Sequence, residues 1–162
     1  MSARTTPGPG LALLALSLGA LPSWHLSDAA KAGFSEIWST SVAERRERVG
    51  CMGGVITQDT VHVVRVRLLP EAESDSLAAG AELSLSECAA PEWFGTVHTH
   101  LRSTDVEDPA PRFSPGDRTV MSEWSKRYRR AGAFCVLYST KGAHCEVWPP
   151  RVKPKVVEPD AR

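Results

Sequence analysis

Residues 94–119 read FGTVHTHLRSTDVEDPAPRFSPGDRT, and the fold turns on how this stretch divides. Its opening, taken back to Trp93 as WFGTVHTH, has the apolar and β-branched character of a strand. Its close is a helix start, with Ser114 as N-cap, Pro115 at the first helical position and Asp117 at the third. Side chains alternate faces along a strand, so His98 and His100 point the same way, about 7 Å apart along the chain by the strand rise. That spacing lets two imidazoles converge on one ion. A third ligand must come from another element, and Asp117 is a nearby carboxylate. Two histidines and one carboxylate, with a fourth position for water, form the ligand set of a catalytic zinc. Taken singly the pieces have plain structural readings, because a serine cap followed by an acid at the third position is how many helices begin.

Outward from this stretch, Val120, Met121, Trp124 and Tyr128 line one face of the second helix. Lys126, Arg127, Arg129 and Arg130 load its last turns, where the helix dipole favours cations, and Gly132 is expected to stop it. AFCVLYSTKGAHCEVW then reads as a hairpin around Lys141-Gly142. Upstream, an amphipathic helix runs from Ser27 or Asp28 to about Ala43, with Ala30, Phe34, Ile37, Trp38 and Val42 as its apolar face. ERRERVGCMGGVITQDTVHVVRVRLLP follows as a second hairpin turning at Gln58-Asp59, its second arm running from Val61 to Leu69. The glycines of GCMGG mark close backbone approach. Residues 71–92 give no clear period. Helix, hairpin, strand, helix and hairpin make an α+β or α/β layered domain with a largely antiparallel or mixed sheet flanked by helices.

A chain of 162 residues, 42% hydrophobic, fits one domain, expected over residues 24–149 between an N-terminal tail (1–23) and a solvated, disordered tail (150–162). Nineteen basic and nineteen acidic side chains cancel, which removes the electrostatic case for nucleic acid. Cys51, Cys88, Cys135 and Cys145 form no C-x-x-C pair, which argues against a zinc ribbon or thiol redox site. Cys135 and Cys145 face each other across the last hairpin, a disulfide if the chain is exported; free thiols are the default otherwise. The apolar run Leu11 to Leu21 is too short for a membrane helix, which needs about 20 residues. It has the length of a signal-peptide core behind a weak positive region, so a cytoplasmic location is favoured and export stays open.

At the start of the Gln58-Asp59 hairpin stretch, ERVGCMGG sets Glu47, Gly50 and Gly54 in the order glutamate-x-x-glycine-x-x-x-glycine. With His98-Thr99-His100 and Ser114-Pro-Gly-Asp117 following, the chain resembles the JAMM (MPN-plus, JAB/Mov34-type) zinc metalloprotease family from about Trp24 to Trp148. The resemblance implies a single MPN-type, cytidine-deaminase-like domain. It also implies that His98, His100 and Asp117 ligate Zn2+, that Glu47 is the general base and that Ser114 supports the oxyanion. It further implies hydrolysis of peptide or isopeptide bonds in a protein or peptide substrate, with the C-terminus of a ubiquitin-like protein as one such target. A catalytically idle MPN-type scaffold is the alternative. Glu44, one helical turn before Glu47, is the rival base but lacks the glycine register. Two features depart from the family: Leu101 stands where Pro is usual, and the thirteen residues from Leu101 to Phe113 exceed the usual spacer. The acidic STDVEDP within them reads as a substrate lid or a solvated loop. His25, His62 and His144 lie outside the motif and are expected to be structural.

Overall fold

A computed structural model describes residues 22–70, 77–101 and 112–150, with the backbone alone for 77–81. The apolar run Leu11 to Leu21, most of the Leu101 to Phe113 loop and the C-terminal tail lie outside the described residues. The elements are β1 (Ser23–Leu26), α1 (Asp28–Glu44), β2 (Val49–Ile56), β3 (Thr60–Leu68), α2 (Leu77–Glu87), β4 (Gly95–Thr99), α3 (Pro115–Tyr128), β5 (Gly132–Leu137) and β6 (Ala143–Trp148). The strands form one six-stranded mixed sheet in the order β1-β3-β2-β4-β5-β6. β1 with β3 and β4 with β5 pair parallel, while β2 with β3, β2 with β4 and β5 with β6 pair antiparallel. Helices cover both faces, as the α/β reading expects.

Each face has its own core. On the α1 side, Ala30 and Ile37 pack on Met52, Val61, Val63, Val97, Ala133, Cys135 and Leu137. On the opposite side, Met121 and Trp124 of α3 pack with Leu85, Phe113, Phe134 and Val136. Trp124 is fully buried, and its indole N–H donates to the Cys88 carbonyl at 2.8 Å. Burying an aromatic of that size contributes roughly 4–6 kcal/mol before the entropy of ordering it.

α1 keeps the expected span but rotates its buried face. Ala30, Gly33, Ile37 and Ser41 are buried, and Val42 is half exposed. Gly33 sets the rotation, since a Cβ there would stand 2.7 Å from the Val66 Cβ; only a bare backbone lets α1 sit this close to β3. Gly132 does not stop α3. Arg129, in the left-handed conformation, returns its N–H to the Ser125 carbonyl and closes the helix three residues earlier, and Gly132 opens β5. β1, for which the sequence names no element and of which only Ser23 falls in the expected tail, adds in parallel to β3 with Trp24 opposite Val61. Residues 77–87, which gave no period, form α2.

All four cysteines pair, against the free-thiol default. Cys51 bonds Cys88 across a sequence separation of 37, and Cys135 bonds Cys145 across 10. The first ties β2 to the end of α2; the second crosslinks opposed residues of β5 and β6. A crosslink stabilises chiefly by restricting the unfolded chain, more so for the longer loop. Reduction should therefore cost about 2–4 kcal/mol per bond, and Cys88→Ala should lower the denaturant midpoint more than Cys145→Ala in chemical unfolding.

Candidate metal centre

β4 lies between β2 and β5, with His98 opposite Val49 on one neighbour and Val136 on the other. Hydrogen bonding on both edges fixes the strand, and alternation then divides its side chains. Val97 and Thr99 face α1, whereas His98 emerges on the α3 side with Val136. The chain stays paired one residue beyond the strand, since the His100 N–H donates to the Leu137 carbonyl at 2.8 Å. His100 therefore follows His98 onto the same side. Asp117 comes from α3, whose first turn is a capping box. Ser114 Oγ accepts the Asp117 N–H at 3.2 Å, and the Ser114 N–H donates to Asp117 Oδ2 at 2.7 Å.

These elements bring three of the residues named from sequence to one point. The Nε2 atoms of His98 and His100 are 3.1 Å apart, His98 Nε2 is 3.3 Å from Asp117 Oδ1, and His100 Nε2 is 3.4 Å from Asp117 Oδ2. Among the described residues this is the group of three whose ligand atoms suit a metal ion. The distances test the fit. Two ligand atoms set tetrahedrally about zinc at 2.0–2.1 Å are about 3.3–3.4 Å apart, and each of these pairwise distances lies near that value, with each imidazole meeting a different oxygen of Asp117. Two imidazole nitrogens in contact hold at most one N–H between them, whereas a cation satisfies both lone pairs and the carboxylate together.

Burial alone would raise the Asp117 carboxyl. Hydrogen bonds from His100 and His98, the charge of His98 and the Ser114 N–H outweigh it and hold the group far below the ordinary carboxylate range. Glu47 sits in the short link between α1 and β2. The residue is exposed, yet partial desolvation pushes its carboxyl above its ordinary value. The charges of His100 and His98 oppose that rise and Asp117 adds to it, so the carboxyl lies within electrostatic reach of all three residues. Glu44 is turned elsewhere, its Oε2 accepting from Arg48 Nη1 at 2.9 Å. Ser114 is exposed at the helix start. Its hydroxyl accepts the Asp117 N–H and keeps its own proton to donate.

A wall of side chains without a sequence motif stands beside Asp117. Phe113 is buried, with its ring 5.9 Å from that of His98 and 5.6 Å from that of His144. Arg118 bonds both oxygens of Glu146 at 2.9 Å, and His144 Nε2 lies 2.8 Å from Glu146 Oε1. His144 and Glu146 alternate on β6 as His98 and His100 do along β4, a period legible in the sequence; the partner Arg118 was not. His25 and His62 stack at 5.2 Å on β1 and β3, outside the cluster.

No family model matches the sequence, and neither does any curated protein. Among solved structures, the chain is similar to a JAB1/MPN domain protein from Archaeoglobus fulgidus. The two are 18% identical, the match covers 75% of this chain and 87% of that one, and the TM-score is 0.43.

His98→Ala and Asp117→Ala should each sharply weaken zinc uptake in a titration followed by elemental analysis, and His62→Ala should leave it unchanged. Glu146 governs a separate pH response. The Arg118 guanidinium, set against partial burial and aided by His144, holds its pKa below the ordinary 4.5. Because the folded-state value is the lower one, the stabilisation is full above pH 4.5 and is lost as pH falls through the depressed value. Glu146→Gln should flatten that part of the acid limb in unfolding measured against pH.

Proposed function

We propose that this protein is a zinc-dependent metallopeptidase of the JAMM type, hydrolysing peptide or isopeptide bonds. The observation that carries the reading is the convergence of His98, His100 and Asp117, whose Nε2 and carboxylate oxygen atoms approach to 3.1–3.4 Å, with the Glu47 carboxyl in their field. His98 and His100 would hold the ion through Nε2 and Asp117 through its carboxylate. Zinc bound there would supply a Lewis acid and lower the pKa of a coordinated water towards neutrality.

The remaining steps fall to the chain's own groups. Glu47 carries no ion-pair partner in the described cluster, and its raised pKa suits a carboxylate that takes a proton during attack on a carbonyl and returns it to the leaving amine. The Ser114 hydroxyl, with its proton free to donate, would bond the oxygen on which negative charge develops. Phe113 is buried beside the cluster, its ring 5.9 Å from that of His98. The substrate class, a protein or peptide and in particular the tail of a ubiquitin-like protein, comes from the family resemblance of the motif.

Glu47→Gln separates an enzyme from a metal-bearing scaffold. General-base catalysis contributes about 100- to 10,000-fold, so turnover of peptides and ubiquitin-like fusions should fall by that order while zinc stays bound. Glu44→Gln loosens Arg48 and should cost stability rather than chemistry. Loss of zinc from Glu47→Gln would make Glu47 a ligand. A zinc-loaded parent that cleaves none of the panel would leave the idle scaffold.

A further inference from the structure

Thr99 stands between the two histidines of the cluster, yet its side chain leaves them for the opposite face and is fully buried. Its Oγ1 lies 2.6 Å from the Oγ of Ser41 on α1, also fully buried, and accepts the Arg48 backbone N–H at 2.9 Å. Ser41 donates its proton to the Arg46 carbonyl at 2.5 Å. A hydroxyl has one proton, so with that of Ser41 committed to Arg46, the proton between the hydroxyls belongs to Thr99. The bonds therefore run in one direction, from the Arg48 N–H through Thr99 and Ser41 to the Arg46 carbonyl.

Both ends of that chain lie on the peptide units that flank Glu47. The Arg46 carbonyl belongs to the peptide before it and the Arg48 N–H to the peptide after it. Two backbone bonds reinforce the clamp, from Arg46 N–H to the Ser41 carbonyl at 3.2 Å and from Thr99 N–H to the Arg48 carbonyl at 3.1 Å. Fixing the two flanking planes fixes φ and ψ of the residue between them. Independently of Glu44, the Arg48 guanidinium donates to the Leu69 carbonyl at 2.8 Å on the far side of the link.

We propose that Ser41 and Thr99 are positioning residues for Glu47, coupling the height of its carboxyl to the strand that carries His98 and His100; the inference rests on the zinc reading of that cluster. A base held by a loop alone would wander, and displacements of about 1 Å are enough to cost a hundredfold in rate. Here the loop is referenced to the ligand strand through two buried hydroxyls. Directed hydroxyl chains strengthen cooperatively in a low-dielectric interior, and losing one link leaves a buried group unpaired.

Thr99→Val removes the hydroxyl at nearly constant volume, Ser41→Ala breaks the chain one link later, and Thr99→Ser restores it. These variants, the parent and Glu47→Gln are titrated with Zn2+, then loaded with Co2+, whose visible band reports its surroundings, and the band is followed against pH. Zinc affinity should change by less than about tenfold, the lower range for losing a group that orients a ligand. The pH transition of Thr99→Val and Ser41→Ala should move in the same direction as that of Glu47→Gln, with Thr99→Ser returning it towards the parent. With an active substrate, kcat should fall and KM should hold. If Thr99→Val does not fold, Ser41→Ala carries the test alone. A parent transition in both variants would reduce the chain to a fold-stabilising one, and loss of zinc would shift its action to the histidines; either overturns the proposal while leaving the metal site. A parent that takes up no metal overturns the site and the proposal together.

Discussion

β4 is hydrogen-bonded along both edges, and everything at the site depends on the alternation this enforces. A strand held on two sides cannot roll, so its odd and even residues are committed to opposite faces. Thr99 goes inward to a hydroxyl chain that reaches Glu47, and His98 and His100 go outward to meet Asp117. Slipping the register by one residue would exchange these sets and bury two imidazoles in an apolar core. The aliphatic packing of Val97 and Leu137 on α1 therefore protects the geometry of groups it never touches.

Asp117 serves two purposes with one carboxylate. Oδ2 closes the capping box by accepting the Ser114 N–H, which orients the side chain, and both oxygens meet the imidazoles. The cap explains how a residue on a helix end can be held tightly enough to complete a site begun on a strand. Its place in the first turn also lets the helix dipole favour its charge. Arg118 turns away from the cluster to Glu146, so its positive charge compensates an acid on β6 while the ligand set keeps its negative one.

The described residues carry two disulfides, and these tie the sheet to its α2 side and its last two strands to each other. Such bonds persist where thiols are oxidised. Cys135 and Cys145 could be paired by eye, because a hairpin places them opposite. Cys51 and Cys88 could not, since no local pattern links a residue in β2 to the end of a helix whose own period was too weak to see.

The sequence by itself determined the parts with local causes. The N-cap serine, Pro115 and Asp117 start α3 through contacts within one turn, the hairpins follow from runs of β-branched residues around turns, and His98 and His100 share a face because strands alternate. The candidate group of His98, His100 and Asp117 was legible from these local patterns. The tertiary structure alone decided what depends on distant segments meeting. Val42 yielded the buried face of α1 to Ser41 because Gly33 packs against Val66. β1 became a strand by adding to β3, and Glu44 was committed to the guanidinium of Arg48. Ser41 and Thr99 lie 58 residues apart in the chain, and a hydrogen bond between them has no signature shorter than the fold.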